Sequence, residues 1–320
     1  MREAYRGARY ARSMKFSLWL PANLPWTDLR AAATHAAGAT SGAANWRGLW
    51  LEDHFMDNTP EPNDGERGEC LTQLTALAAT VPDVRLGSLV LGNTYRHPAV
   101  VAKQAAAISD ISDGRFVLGV GAGWQENEHR AFGLEFGDVP SRIRWFREAL
   151  QVWTSLRDSA RDGSGFADFD GERYRLEHAS LNPKPHATLP ILIGGKGEKV
   201  MPKLVARYAD EWNMWSTPEL FAQKNRIFTK ALEDAGRESG SLWRTTQALV
   251  FFDDKARAAD MAAKGRPAIG GSADELVELM GAYAEAGVDE FILPLTTIRD
   301  VAKLNDLGDR FLTEVAALIP

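Results

Sequence analysis

Short apolar runs alternate with helically spaced patterns along almost the whole chain. The runs predict strands over 15–20, 48–51, 85–91, 116–120, 191–193, 211–214, 246–252 and 290–293. Helical spacing falls between them, over 29–37, 71–81, 98–111, 143–156, 200–208, 218–235, 272–286 and 301–319. The fourth run, F-V-L-G-V, is apolar at every position, as a strand covered on both faces must be. In the fourth helix Ile143, Phe146, Leu150, Trp153 and Leu156 share one face. Pro98 suits a first helical position, where its missing N–H costs nothing. Ser272 followed by Glu275 predicts a capping box.

Eight strand–helix pairs in this length predict an α/β fold, a (β/α)₈ TIM barrel, over 14–320. An open doubly wound sheet is the alternative, but it rarely needs eight such regular units. Extra segments fall at 121–142, 157–188 and 253–270, so insertions are expected after strands four and seven. A small hairpin is expected around Asp170-Gly171. The polar, Ala-rich stretch 255–266 is expected as a lid.

Composition narrows the functions. The chain has 320 residues, 45% of them hydrophobic and 25% charged, as in soluble globular proteins. Its net charge of −6 is spread without a basic block, which argues against nucleic acid or an anionic membrane as partner. The single cysteine, Cys70, excludes an internal disulfide. No run reaches the roughly 18 apolar residues of a membrane helix. Residues 1–13 carry four arginines with no apolar run behind them. They are expected to be a disordered extension or the product of an upstream start codon, not a secretory signal. A cytoplasmic location is therefore expected.

A TIM barrel carries its chemistry at the C-terminal strand ends. That rule selects Glu52-Asp53-His54, Gly92-Asn93-Thr94-Tyr95, Gly121-Ala122-Gly123-Trp124, Gly194-Gly195-Lys196-Gly197 and Trp215-Ser216-Thr217. Glycine-rich turns let backbone N–H groups approach an anion. The turn 194–197, directly before a helix expected near Glu198, reads as a phosphate cradle or as a plain tight turn. It lacks the ending of a Walker loop, and neither glycine turn has the spacing of a Rossmann fingerprint. His54 is the candidate for proton transfer. The competing reading is a histidine packed at the rim. Asp53 is its neighbour, though adjacent strand residues face opposite ways. Trp19, Trp50, Trp124 and Trp215, among ten tryptophans, fall near strand ends and suggest a planar aromatic ligand or simple core packing. No metal site is expected, since His97, His129, His178 and His186 lack ligand spacing. No G-x-S-x-G elbow marks a serine hydrolase.

Several runs resemble the luciferase-like family of flavin- and deazaflavin-dependent oxidoreductases. They are Gly114-Arg115-Phe116 with Gly121-Ala122-Gly123-Trp124-Gln125-Glu126-Asn127-Glu128; Leu51-Glu52-Asp53-His54-Phe55; Leu91-Gly92-Asn93-Thr94-Tyr95-Arg96-His97-Pro98; and Ile193-Gly194-Gly195 with Ala209-Asp210-Glu211-Trp212-Asn213. The nearest likeness is to the actinobacterial branch that uses coenzyme F420; the other branch uses reduced FMN and dioxygen. The resemblance implies a cofactor ring in the barrel mouth, with Asp53 against the ring and His54 by the hydride-transferring carbon. It implies that Asn93, Gly121, Ala122 and Gly123 line the ring and its side chain, that Asn127 contacts that chain, and that Gly194 and Gly195 bind phosphate. It also implies a non-prolyl cis peptide at Leu89–Val90 behind the ring, and a homodimer. The sequence departs at Trp124, where sugar-phosphate dehydrogenases of the branch carry a glutamate, so the small-molecule substrate does not carry over. Three functions follow: an F420-dependent hydride transfer, an FMN-dependent monooxygenase, or a non-catalytic flavin-binding protein.

Overall fold

The computed structural model describes residues 14–59, 66–186 and 189–319. The extension expected over 1–13 lies outside them. Eight parallel strands close a barrel: β1 (Lys15–Trp19), β2 (Ala44–Leu51), β3 (Arg85–Ser88), β4 (Phe116–Gly121), β5 (Ile191–Gly194), β6 (Glu211–Trp215), β7 (Trp243–Gln247) and β8 (Glu290–Pro294). β1 pairs with both β2 and β8, so no barrel strand keeps an open edge. The main helices follow in turn: α1 (Trp26–Gly38), α2 (Cys70–Thr80), α3 (Pro98–Ile111), α4 (Val139–Asp162), α5 (Met201–Tyr208), α6 (Pro218–Asp234), α7 (Ala273–Ala286) and α8 (Val301–Glu314). This is the expected (β/α)₈ barrel.

Local chemistry explains the helix starts. Asp138 accepts from the Ser141 amide at 2.8 Å to open α4, and Ser272 and Glu275 form the expected capping box on α7. Alternation along the strands sorts the core. In β4, Phe116, Leu118 and Val120 face the helices, while Val117 joins Trp19, Trp50, Leu89, Leu192 and Ile292 inside the barrel. Charge closes the barrel at the N-terminal strand ends. Glu290, fully buried, accepts from Ser17 Oγ (2.6 Å), Arg47 (2.6 Å) and Trp243 Nε1 (2.9 Å), and Arg85 pairs with Glu211 beside it.

The structure redraws two strands. The run 85–91 is broken: β3 ends at Ser88, the Leu89–Val90 peptide is cis as the resemblance implies, and Leu91–Gly92 forms a separate two-residue strand against β4. The run expected over 246–252 is two strands. β7 itself is the more polar W-R-T-T-Q, and Leu249–Phe252 leaves the barrel to pair in parallel with Ala268–Gly271. Between those two outer strands lies a helix, Lys255–Ala263, so the segment expected as a lid is a packed β–α–β unit. A short helix, Glu126–Phe132, occupies the segment after β4, and the hairpin around Asp170 forms as expected from Ala167–Asp170 and Arg175–Ala179.

Candidate active site

A cavity of about 730 Å³ opens at the C-terminal ends of the strands. Of the residues singled out in the sequence, Trp19, Asp53, His54, Leu89, Val90, Gly121, Ala122, Gly123, Trp124, Gly194, Gly195 and Trp215 meet in its wall. Trp50, Asn93 and Asn127 do not. Trp50 points into the barrel below and is 1% exposed, with a Cβ on Gly87 due to fall 2.4 Å from its ring. Asn93 is buried, and its backbone amide donates to the Gly121 carbonyl at 3.0 Å. Asn127 donates to the carbonyls of Asp57 (2.9 Å) and Thr59 (3.3 Å).

Glycines shape the wall where Val90 enters. A Cβ on Gly121 would lie 2.9 Å from Val90 Cγ2, and one on Gly194 would lie 3.0 Å from the same atom. Val90 therefore sits against two bare stretches of backbone, beside a floor formed by Trp19, Leu89 and Trp215. The result is an apolar, aromatic floor, its two indole rings tilted 48° to each other, against which an aromatic ligand can pack.

His54 and Asp53, just past the end of β2, both line the cavity but turn to different partners. Asp53 is buried and takes a two-pronged hydrogen bond from Arg96 (2.8 Å on each oxygen) and a third from the Gly92 amide (3.0 Å). Burial opposes the charge on Arg96, but Asp53 and Glu69 outweigh it and hold the guanidinium more firmly protonated than usual. His54 Nδ1 lies 2.9 Å from Oε1 of Glu128, whose side chain is wholly buried. The other Glu128 oxygen accepts from the Phe55 amide at 2.8 Å, and Tyr95 Oη donates to Oε1. Burial works against the Glu128 charge, yet these donors hold its carboxyl below the usual carboxylate range. Burial, and then Glu128, push the Tyr95 hydroxyl far above its ordinary range, so it stays protonated. Trp124 meets His54 edge-on, with ring centroids 5.3 Å apart.

The helix Glu126–Phe132 thus supplies the carboxylate that holds His54. It also pins the stretch after β2 through Asn127 and through Gln125 Nε2, which donates to the Met56 carbonyl at 2.9 Å. The resemblance runs contain Glu128, Tyr95 and Arg96, but sequence reasoning gave them no role. In sequence Glu126, Asn127 and Glu128 fall in the extra segment expected over 121–142. A partner 74 residues away leaves no local trace.

In the glycine turn after β5, α5 begins at Met201, later than the expected start near Glu198. The Gly195 amide is already engaged by the Asn213 carbonyl at 3.0 Å. The amides of Lys196, Gly197 and Glu198 donate to no acceptor among the described residues, and Lys196 and Gly197 line the cavity. Donors for a phosphate are therefore present, shifted one to three residues along from the expected pair.

A family model described as luciferase-like monooxygenase matches residues 14–290. The chain belongs to the luciferase-like monooxygenase family. Among curated members of this family it is 30% identical over 210 residues to the F420-dependent glucose-6-phosphate dehydrogenase of Kineococcus radiotolerans, covering 64% of this chain and 60% of that protein. It is 32% identical over 176 residues to the pyrimidine monooxygenase RutA of Variovorax paradoxus, covering 53% of this chain and 45% of that one. The matches thus span less than two thirds of these relatives. The fold is shared with an F420-dependent secondary alcohol dehydrogenase solved with an F420–acetone adduct, at a TM-score of 0.80 and 19% identity over 96% of this chain and all of that one. It is also shared with the EDTA monooxygenase EmoA of Chelativorans sp. BNC1, at 0.73 and 14%, over 94% and 93%. Family members are oxidoreductases and monooxygenases.

Proposed function

We propose that this family member is an F420-dependent oxidoreductase that moves a hydride between the deazaflavin and a small organic substrate. The observation that carries the reading is His54: an imidazole on the wall of an apolar-floored, glycine-walled cavity, with one ring nitrogen tied to a buried carboxylate. The site residues suit such a cofactor. Trp19, Leu89, Val90 and Trp215 offer an apolar bed for a ring, with Gly121, Ala122 and Gly123 at its side. The unengaged amides at 196–198 and the Lys196 ammonium would receive a phosphate. Bound there, F420 supplies two-electron hydride chemistry. The chain's own residues orient the reactants and exclude water. His54 exchanges a proton with the substrate atom next to the hydride site. Trp124, 61% exposed at the rim, packs edge-on against His54 and makes this edge apolar, which favours a substrate other than a sugar phosphate.

A second reading, an FMN-dependent monooxygenase, draws support from the pyrimidine monooxygenase relatives of similar identity. Titration with F420 and with FMN, followed by turnover with and without dioxygen, separates the two. Tight F420 binding with oxygen-independent turnover supports the first; FMN binding with oxygen uptake replaces it with the second. A homodimer joined through α2 and α3 belongs to the same proposal, and a monomeric mass in sedimentation velocity would remove it.

A further inference from the structure

We propose that Glu128, braced by Tyr95, is a positioning residue that locks neutral His54 in its Nδ1–H tautomer and so presents a bare Nε2 to the cavity. The argument is one of donors and acceptors. The Glu128 carboxylate accepts from the Phe55 amide, from Tyr95 Oη and at His54 Nδ1. A carboxylate has no proton to give, so the contact at Nδ1 requires an N–H there. Neutral imidazole carries one N–H, which leaves Nε2 as an acceptor. Nε2 takes no partner among the described residues, and His54 lines the cavity.

His129 provides an internal contrast. It is buried on the same short helix, and both its nitrogens are used, by the Gln125 carbonyl and by Thr94 Oγ1, each at 2.6 Å. That is a histidine serving the fold. His54 has one nitrogen anchored and one free. The bracing matters because two groups other than the ring, the Phe55 amide and Tyr95 Oη, hold the Glu128 carboxylate towards it. Trp124 against the ring edge limits its rotation. An imidazole so held accepts a proton from a substrate O–H or N–H with no prior rearrangement. The use of that bare nitrogen rests on the function proposed above; the tautomer does not.

The test is ¹⁵N NMR on protein labelled at histidine, of which the chain has six, with His54→Asn assigning the resonance. At a pH where the ring is neutral, His54 should show a protonated Nδ1 and an unprotonated Nε2. Glu128→Gln, whose amide can donate to Nδ1, should mix or reverse the two forms, and Tyr95→Phe should mix them in part. A wild-type ring protonated at Nε2, or an unchanged tautomer in a folded Glu128→Gln protein, overturns the proposal. Should Glu128→Gln not fold, the wild-type spectrum and Tyr95→Phe still decide. In turnover, Glu128→Gln should lower kcat by about 10²–10⁴-fold, as loss of the base would, with KM little changed. Tyr95→Phe should lower it about tenfold, the worth of one hydrogen bond. A predicted tautomer in a protein that turns over nothing would sink the functional reading alone.

Discussion

At the scale of single residues, the strand-end rule found the cavity wall but not what holds it. His54 and the glycines could be named because position on a barrel strand predicts which end a residue occupies, and Val90 came from the family resemblance. Glu128 could not, because its role is set by a buried contact between segments distant in sequence. If His54 transfers a proton, His54→Ala should cut turnover by about 10²–10⁴-fold while the fold, followed by circular dichroism, is unchanged. Full activity in that variant excludes the role. Glu128 also links this site to stability. Its carboxyl is held below the ordinary value of 4.5, so it stabilises the fold above that value and the contribution fades as pH falls through the lowered one. Glu128→Gln should therefore lose less stability than wild type between about pH 6 and pH 3. Equal losses in urea titrations at the two pH values would refute the linkage. The glycines make a separate demand. Gly121→Ala places a methyl 2.9 Å from Val90 Cγ2 and should cost about 1–3 kcal/mol. Trimming the neighbour with Val90→Ala should recover part of that cost, and strictly additive single effects in denaturation would mean that the crowding is relieved elsewhere.

At the scale of elements, hydrophobic pattern gave the right number of barrel strands but misplaced the seventh. Leu249–Phe252 is the apolar run, yet the barrel uses Trp243–Gln247. Arg244, Thr245, Thr246 and Gln247 are all buried there, and their polar atoms bond side chains and backbone carbonyls of the protein. Thr245 and Gln247 bond Asn213, and Arg244 Nε donates to Asn225 Oδ1 at 2.7 Å. Periodicity reports apolar burial and is blind to a strand buried in a satisfied polar network. The break after β3 is equally hidden, since Arg85, Leu86, Leu89 and Leu91 keep a strand-like pattern across it. The helix Glu126–Phe132 leaves no periodic signal because its seven residues, E-N-E-H-R-A-F, give too short and too polar a window. That helix yields a discriminating experiment. Asn127 was expected to touch the cofactor's side chain, but here it ties down the carbonyls of Asp57 and Thr59. Asn127→Ala should speed amide exchange over 54–59 in cofactor-free protein, and lower turnover as a consequence. Unchanged exchange with weakened cofactor affinity would instead restore the direct contact.

At the scale of the whole molecule, the two ends of the barrel divide the work. The mouth keeps free donors and a cavity, and the opposite end is shut by Arg47, Arg85, Glu211 and Glu290. The pairing there is incomplete. Among the described residues Arg85 Nη1 and the second Glu211 oxygen are buried without a partner, whereas Glu290 has donors on both oxygens. Burial first, and then the nearby Glu290, push the Glu211 carboxyl above its ordinary value, and Arg85 only partly opposes them. A carboxyl raised in the fold binds its proton more tightly there than in the unfolded chain. Its stabilising effect is complete below the unfolded value and is lost as pH rises through the folded one. At neutral pH the Arg85–Glu211 pair is thus a poor source of stability, but breaking it strands a buried charge. Glu211→Ala should destabilise by about 3–5 kcal/mol. Replacing both partners, as Arg85→Met with Glu211→Leu, should return most of that loss, and leaves Glu290 with Arg47, Ser17 and Trp243. The double variant should gain on wild type as pH rises from about 4 to 7, because it lacks the carboxyl whose contribution wild type loses over that range. Chemical denaturation at the two pH values measures both effects. A double variant no more stable than Glu211→Ala would show that the ion pair, despite its unmet atoms, holds this end of the barrel together.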